Sequence, residues 1–301
     1  MSARATEAWT VLELLRWTTS YFQQQGIETA RLDAECLLAA ALGCERLQLY
    51  VDFEKPIAPQ ERAGFRALVK RRGRDRVPVA LLLGEKEFWS LPFAVTEAVL
   101  VPRPETETLV SAGLHALPEP DGEYRVLDIG TGSGCVALAL ASERPKARVT
   151  ATDISKAALQ VAGQNAVKLH LSERVCFLEG DLFVPVQGNS FDLVVSNPPY
   201  VARSGAGDLP PELAHEPETA LFGGQDGLEI VKRLVAGVGS VLEPGGVFAL
   251  EIDPAQERAV HAYCNEAGLR QVRTLRDLTK RPRVVTARAE GESQIPIPRG
   301  Q

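Results

Sequence analysis

From Tyr124 onward the chain alternates short β-branched runs with helical stretches, an order that neither an all-helical nor an all-strand fold can absorb. Strands are predicted at Arg125 to Ile129, Arg148 to Thr152, Val175 to Leu178, Asp192 to Ser196, Val247 to Ile252, Gln271 to Leu275 and Arg283 to Ala287. Helices are predicted at Cys135 to Glu143, Lys156 to Leu169, Leu228 to Leu242 and Ala255 to Ala267. Strands joined through helices run parallel, so the expected fold is α/β, a doubly wound Rossmann-like sheet. Its last two strands have no helix between them and are expected to form an antiparallel hairpin at the end of the sheet.

Ligands of such sheets sit outside the carboxyl ends of the strands. The first strand ends in Gly130-Thr131-Gly132-Ser133-Gly134. Glycines there let the backbone turn sharply and approach a ligand. The spacing is G-x-G-x-G, so the dinucleotide fingerprint G-x-G-x-x-G is not met and an oxidoreductase is disfavoured. Asp153 ends the second strand, about twenty residues further on, where a carboxylate accepts ribose hydroxyls. After the third strand, Asp181 is placed to read an adenine amino group and Leu182 to pack on the ring. A glycine loop and a ribose carboxylate without a phosphate-binding lysine describe a nucleoside ligand without phosphates, and S-adenosylmethionine fits best.

The fourth strand runs into Ser196-Asn197-Pro198-Pro199-Tyr200. Two prolines fix φ, supply no N–H and restrict the residues before them, so Asn197 is held extended at a strand end. Its side chain offers an acceptor oxygen and two donors. That oxygen and the Pro198 carbonyl are placed to accept both N–H bonds of a planar amino group, with the Tyr200 ring covering its face. A tight loop with an incidental asparagine is the plain alternative for this segment read alone. The upstream cofactor signals turn the clamp into a methyl-acceptor site.

Elsewhere the sequence is less specific. A net charge of -6 disfavours a dedicated nucleic-acid binder. The five cysteines, Cys36, Cys44, Cys135, Cys176 and Cys264, include no Cys-x-x-Cys pair, and the histidines are scattered. Reduced thiols are expected, with no metal site. No run approaches a membrane span and no signal-peptide core is present, so a soluble, cytoplasmic, monomeric protein is expected. Trp9 to about Arg72 reads as three or more short helices. Arg62, Arg66, Lys70, Arg71, Arg72, Arg74 and Arg76 crowd its end, and a solvated helix face outweighs a docking patch as their meaning. A hairpin is predicted across Lys86 to Val95, and the rigid loop Val101 to Glu107 opens a helix from Thr106 to Leu117. Arg103 and Glu105 in that loop are candidates for lining a cleft. The expected organisation is a helical domain over 1–76, a linker over 77–103, a sheet domain over 104–290 and a disordered tail over 291–301.

Several segments together resemble the peptide chain release factor glutamine methyltransferases, the PrmC/HemK family. They are Pro78-Val79-Ala80, Gly84 to Phe88, Leu100-Val101-Pro102-Arg103-Pro104-Glu105-Thr106-Glu107, Gly130 to Gly134, Ser196 to Tyr200, Glu216 to Leu221 and Gly223 to Leu228. The Asn-Pro-Pro-Tyr core also occurs in adenine-N6 and guanine-N2 nucleic-acid methyltransferases, so the arginine–proline loop and the Glu216 to Leu228 segment are the more specific parts. The resemblance implies a class I methyltransferase sheet. It also implies S-adenosylmethionine as cofactor and S-adenosylhomocysteine as product, without a metal. The acceptor it implies is a release-factor glutamine at its amide N5, and no direct nucleic-acid substrate is expected. By the same resemblance, Gly130, Thr131, Gly132, Ser133, Gly134, Asp153, Leu182 and Asn197 contact the cofactor, with Asp181 added from its position after the third strand, and Asn197, Pro198, Pro199 and Tyr200 bind the glutamine. The chain departs from the family pattern at Leu81, at His215, at Asp253-Pro254 and at Lys280 to Arg283. Gly223-Gly224-Gln225 matches the methylated motif of the release factors themselves, but Asp226 and a helix follow it, so a turn entering a helix is expected there. Two other functions stay open at this point: a nucleic-acid amino-group methyltransferase, and a non-catalytic adaptor with a vestigial cofactor site.

Overall fold

A computed structural model describes residues 9–291 of the chain. The expected tail lies outside the described residues except for Gly291. The chain divides into two compact units, residues 1–84 and residues 85–301.

The first unit is helical: α1 (Val11–Gln24), α2 (Ala30–Leu42), α3 (Arg46–Val51), α4 (Pro59–Gly73) and α5 (Val79–Leu83). Thr10 starts α1 through a capping box, its hydroxyl accepting from the Glu13 N–H while the Glu13 carboxylate accepts from the Thr10 N–H. Gly43, at φ 61°, ends α2 in the left-handed conformation that glycine adopts at least cost. Val11, Leu15, Phe22, Leu37 and Leu38 are fully buried and make the core of this unit. Arg62, Arg66, Lys70, Arg71 and Arg74 are exposed, as a solvated face requires. Arg72 is instead buried and paired with Asp33 at 2.6 Å, and Arg76 donates to the Gln25 carbonyl. The helix α5 was not expected, because its five residues are too few to show a period.

The second unit opens with the predicted hairpin, β1 (Glu85–Phe88) and β2 (Leu91–Ala94), turned by Trp89 and Ser90, both at positive φ. A 3-10 turn at Pro104–Thr106 leads into α6 (Glu107–Ala116). There follow β3 (Arg125–Ile129), α7 (Cys135–Glu143), β4 (Arg148–Asp153), α8 (Lys156–Lys168), β5 (Val175–Glu179) and β6 (Phe191–Ser196). Short helical turns and α9 (Glu218–Leu221) precede α10 (Glu229–Val238), β7 (Leu242–Glu251), α11 (Glu257–Glu266), β8 (Arg270–Arg276) and β9 (Pro282–Arg288). The sheet order is β5-β4-β3-β6-β7-β9-β8, with β3 to β7 parallel and β9 antiparallel to both β7 and β8.

Period-2 alternation sends successive side chains of each strand to different cores. Val126, Leu193, Val195, Val247 and Ala249 join α6 and α7 on one face. Leu127, Ile129, Val194, Phe248 and Leu250 join α10 and α11 on the other. Full burial of side chains of this size contributes roughly 1.5–3 kcal/mol each. Two boundaries differ from expectation by four residues or more. Helix α10 stops at Val238 rather than Leu242, and β7 begins at Leu242 rather than Val247. The chain crosses Gly245-Gly246 as an irregular stretch of strand, where a Cβ on Gly246 would sit 3.0 Å from the Phe191 carbonyl.

Candidate active site

The strand order reverses beside β3: β4 and β5 extend the sheet one way, and β6 and β7 the other. Such a reversal leaves a crevice at the carboxyl ends of the strands. A cavity of about 400 Å³ lies there, lined among others by the loops after β3, β4 and β6.

Its floor is the glycine loop. Gly130 and Gly132 have φ of 71° and 55°, and a Cβ on either would meet nothing within 4 Å, so the backbone faces open space where a ligand can approach. Both Gly130 and Thr131 donate their N–H to the Thr152 carbonyl, tying the loop to the end of β4. Asp153 fixes it further: one carboxylate oxygen accepts from the Gly132 N–H at 2.9 Å and the other from the Ser155 N–H at 2.8 Å. Burial raises the Asp153 pKa against the lowering effect of these bonds. The carboxylate keeps lone pairs for further donors. Beneath it Asp128, fully buried, accepts from the Thr131 hydroxyl at 2.7 Å and the Ala137 N–H at 3.2 Å. Burial pushes the Asp128 pKa up to about 7.

Thr131, Ser133, Asp181, Leu182, Asn197, Pro198 and Pro199 line the same cavity. Leu182 stands at φ 49°, and Asp181 is paired with Arg233 at 2.5 Å. Gly134 does not line it. At φ 81° it starts α7, and its missing Cβ lets α7 approach Ala162 of α8. Its place is in helix packing, not at the ligand surface.

Asn197 has the most telling environment. Its Nδ2 donates to the Thr106 hydroxyl at 3.1 Å, while its Oδ1 is buried without a hydrogen-bond partner among the described residues. A buried acceptor left open costs about 1–3 kcal/mol, so it marks a position that a bound donor completes. Arg103 lines the cavity and grips the buried Glu216 through two contacts, at 2.6 and 2.8 Å, which joins the arginine–proline loop to the segment before α9. Burial raises the Glu216 pKa, opposed by the Arg103 guanidinium.

Two further expected site residues lie elsewhere. Glu105 is exposed, because the 3-10 turn that sends Thr106 inward sends Glu105 out. Tyr200 does not line the cavity. Its carbonyl is held by the Gln256 side chain at 3.3 Å, and the residue is half-buried. Burial, followed by the charge of Glu251, pushes its pKa up to about 12. Sequence reasoning gave no role to Thr106, Glu216, Glu251 or Asp128, although Glu216 precedes Pro217, Glu251 closes β7 and Asp128 stands one residue before the end of β3. Gly223 and Gly224 form a turn, as expected: the Glu229 N–H donates to the Gly223 carbonyl, and the Glu229 carboxylate accepts from the Gln225 N–H. Among the described residues no group of three or more His, Cys, Asp and Glu is placed to hold a metal ion.

The family model of the PrmC N-terminal domain matches residues 13–84, and that of the methyltransferase small domain matches residues 109–221. A release factor glutamine methyltransferase of Rhodopirellula baltica is 42% identical over 288 residues, covering 92% of this chain and 96% of the relative. One of Geobacter sulfurreducens is 42% identical over 283 residues, covering 94% and 98%. The solved 16S rRNA N2 G1207 methyltransferase (RsmC) of T. thermophilus, in complex with AdoMet and guanosine, shares the fold alone, with a TM-score of 0.52 and 21% identity over 68% of this chain and 50% of that one. On identity sustained along nearly its whole length, the chain belongs to the release factor glutamine methyltransferase family.

Proposed function

We infer that this chain methylates the side-chain amide nitrogen, N5, of the glutamine in the Gly-Gly-Gln segment of peptide chain release factors. S-adenosylmethionine is the donor, S-adenosylhomocysteine the product, and tuning of translation termination in the cytoplasm the consequence. The observation that carries the assignment of the site is the buried, unpartnered Oδ1 of Asn197 at the edge of a glycine-loop cavity, in a chain of this family.

The residues present fit the cofactor. The open backbone at Gly130 and Gly132 leaves space for a nucleoside, and Asp153 retains lone pairs for ribose hydroxyls. Thr131, Ser133, Asp181 and Leu182 complete the wall. When bound, S-adenosylmethionine supplies an electrophilic methyl carbon on a sulfonium centre.

An amide nitrogen is a weak nucleophile because its lone pair is delocalised into the carbonyl. Asn197 Oδ1 accepts one N–H of the glutamine amide, and the Pro198 carbonyl, to which no described residue donates, accepts the other. Two acceptors on one –NH2 fix its plane and draw density onto nitrogen as attack begins. Positioning supplies most of the acceleration, with reacting atoms held roughly 3–3.5 Å apart. No general base is assigned, since the proton can leave after methyl transfer. Tyr200 and Pro199 frame the loop that carries this clamp.

The test is methyl transfer from labelled S-adenosylmethionine, offered purified release factor on one side and total RNA and DNA on the other. Label on the release factor glutamine is expected. Label on nucleic acid alone would identify an amino-group methyltransferase of bases, and no label anywhere an adaptor. In the same assay Asn197→Ala should lower turnover about a hundredfold, the scale of losing one preorganised polar contact to a transition state. Calorimetry should find its cofactor affinity near wild type.

A further inference from the structure

The wall that Asp181 and Leu182 give to the cavity is a tight turn leaving β5. The Gly180 N–H donates to the Asp153 carbonyl at 3.0 Å, the Val184 N–H donates to the Asp181 carbonyl at 3.1 Å, and Leu182 between them takes a left-handed φ of 49°. Backbone bonds shape the turn. The Asp181 side chain is placed by what the turn packs against.

One face of α10 supplies that support. Arg233 and Gly237 are four residues apart, so they lie one above the other on the helix surface. At Gly237 the Phe183 ring comes in so closely that a Cβ would sit 2.7 Å from its Cε2. At Arg233 the guanidinium donates to Asp181 Oδ2 at 2.5 Å. The direction of that bond is unambiguous, because a guanidinium has only donors. The other oxygen, Oδ1, has no partner among the described residues, and both Asp181 and Arg233 line the cavity. The two side chains are 43% and 52% exposed, so the pair adds little to stability. Its effect is geometric. An aspartate this exposed and without a partner turns freely among its rotamers, whereas one with Oδ2 tied to α10 is held beside the cavity with Oδ1 open to a donor.

We propose that Arg233 is a positioning residue that holds Asp181 as the reader of the cofactor's base, so that a 6-amino purine is selected over a 6-oxo purine. An adenine amino group is a donor and meets a carboxylate oxygen favourably. Hypoxanthine places a carbonyl oxygen at the same point, acceptor against acceptor. The inference rests on the reading of this cavity as the S-adenosylmethionine site. Asp181 touches the base, and Arg233 acts through it.

The experiment measures by calorimetry the Kd of S-adenosylhomocysteine and of its 6-oxo analogue, S-inosylhomocysteine, on the full chain. Wild type, Arg233→Met, Asp181→Ala and the double variant are compared, with melting temperatures alongside. Wild type should prefer the adenosyl compound by about tenfold or more, the scale of one hydrogen bond to a charged acceptor. Arg233→Met keeps an unbranched apolar stem and removes the guanidinium; the preference should drop about threefold or more, with the melting temperature near wild type. In Asp181→Ala the preference should fall close to unity, and adding Arg233→Met should lower it no further. Full preference in Arg233→Met would overturn the proposal, as would a further loss when Arg233→Met is added to Asp181→Ala, which would mean that Arg233 meets the cofactor itself. If wild type binds neither compound, the cofactor reading fails and takes the proposal with it. If wild type prefers the adenosyl compound but Asp181→Ala keeps that preference, the cofactor reading stands and the proposal falls.

Discussion

Asp277 shows how much one side chain can organise. Its Oδ1 accepts from the Thr279 N–H at 2.9 Å, the Thr279 hydroxyl at 2.6 Å and the Arg281 N–H at 3.1 Å, while Oδ2 meets the Arg283 guanidinium at 3.2 Å. These bonds hold the β8–β9 turn, where Lys280 takes a left-handed φ of 65°. Burial alone would raise the Asp277 pKa. The hydrogen bonds from Thr279, Arg281 and Arg283 outweigh it and bring the pKa down to about 2. A carboxyl depressed in the folded state binds its proton less readily there than in the unfolded chain, so its stabilisation is present above the ordinary value of about 3.9 and fades as pH falls toward the folded value. Asp277→Asn should therefore melt below wild type near neutral pH, with the gap narrowing in scanning-calorimetry melts taken from about pH 5 downward. Asn197 belongs to the same scale and was legible in the sequence, because two adjacent prolines announce a constrained residue without any tertiary information. Thr106 and Glu251 were not. Asn197 and Thr106 are 91 residues apart along the chain, and a glutamate closing an apolar strand carries no local signal of what lies opposite.

At the level of elements, the loop from Tyr200 to Leu228 is held by backbone packing that admits no side chain. A Cβ on Gly227, at φ 77°, would sit 2.3 Å from the Tyr200 carbonyl oxygen, and one on Gly223 would sit 2.3 Å from that of Pro199. Gln256 closes the arrangement, donating to the Gly227 carbonyl at 3.0 Å and to that of Tyr200 at 3.3 Å. Asp253 in turn accepts from the Ala255 N–H and takes part in a capping box with Gln256, so this pair starts the helical turn that leads into α11. Gly227→Ala should lower kcat sharply and destabilise the fold by more than the ~1–2 kcal/mol of left-handed strain alone. Gly188→Ala is the control: it shares a positive φ of 80°, but its Cβ would meet nothing within 4 Å, so it should pay the strain and keep kcat. Melting curves and steady-state kinetics separate the two. The parallel sheet was readable because strand–helix alternation repeats. The short helical pieces between Arg203 and Leu221 were not, because they are shorter than the window over which a period can be recognised.

For the molecule as a whole, the cavity lies entirely within residues 85–301, and no described helix is long and apolar enough to cross a membrane. A ligand that binds only the folded state stabilises by mass action, about 2.7 kcal/mol at a hundred times its Kd. S-adenosylmethionine at that excess should raise the melting temperature measured by calorimetry. The shift should shrink in Asp153→Ala at the same concentration, since that variant loses the carboxylate offered to the ribose. An unchanged shift would remove Asp153 from the site. A net charge of -6 gives the molecule no general attraction for nucleic acid.

The reversal of strand order beside β3 carries a consequence for how such an enzyme can change. On the proposed assignment, Gly130 to Ser133, Asp153, Asp181 and Leu182 come from the ends of β3, β4 and β5, while the acceptor clamp comes from the end of β6. Donor and acceptor recognition are thus separable heritable blocks meeting along one seam. Drift in the segment after Asn197 can redirect the reaction to a new nitrogen while the donor half is inherited intact.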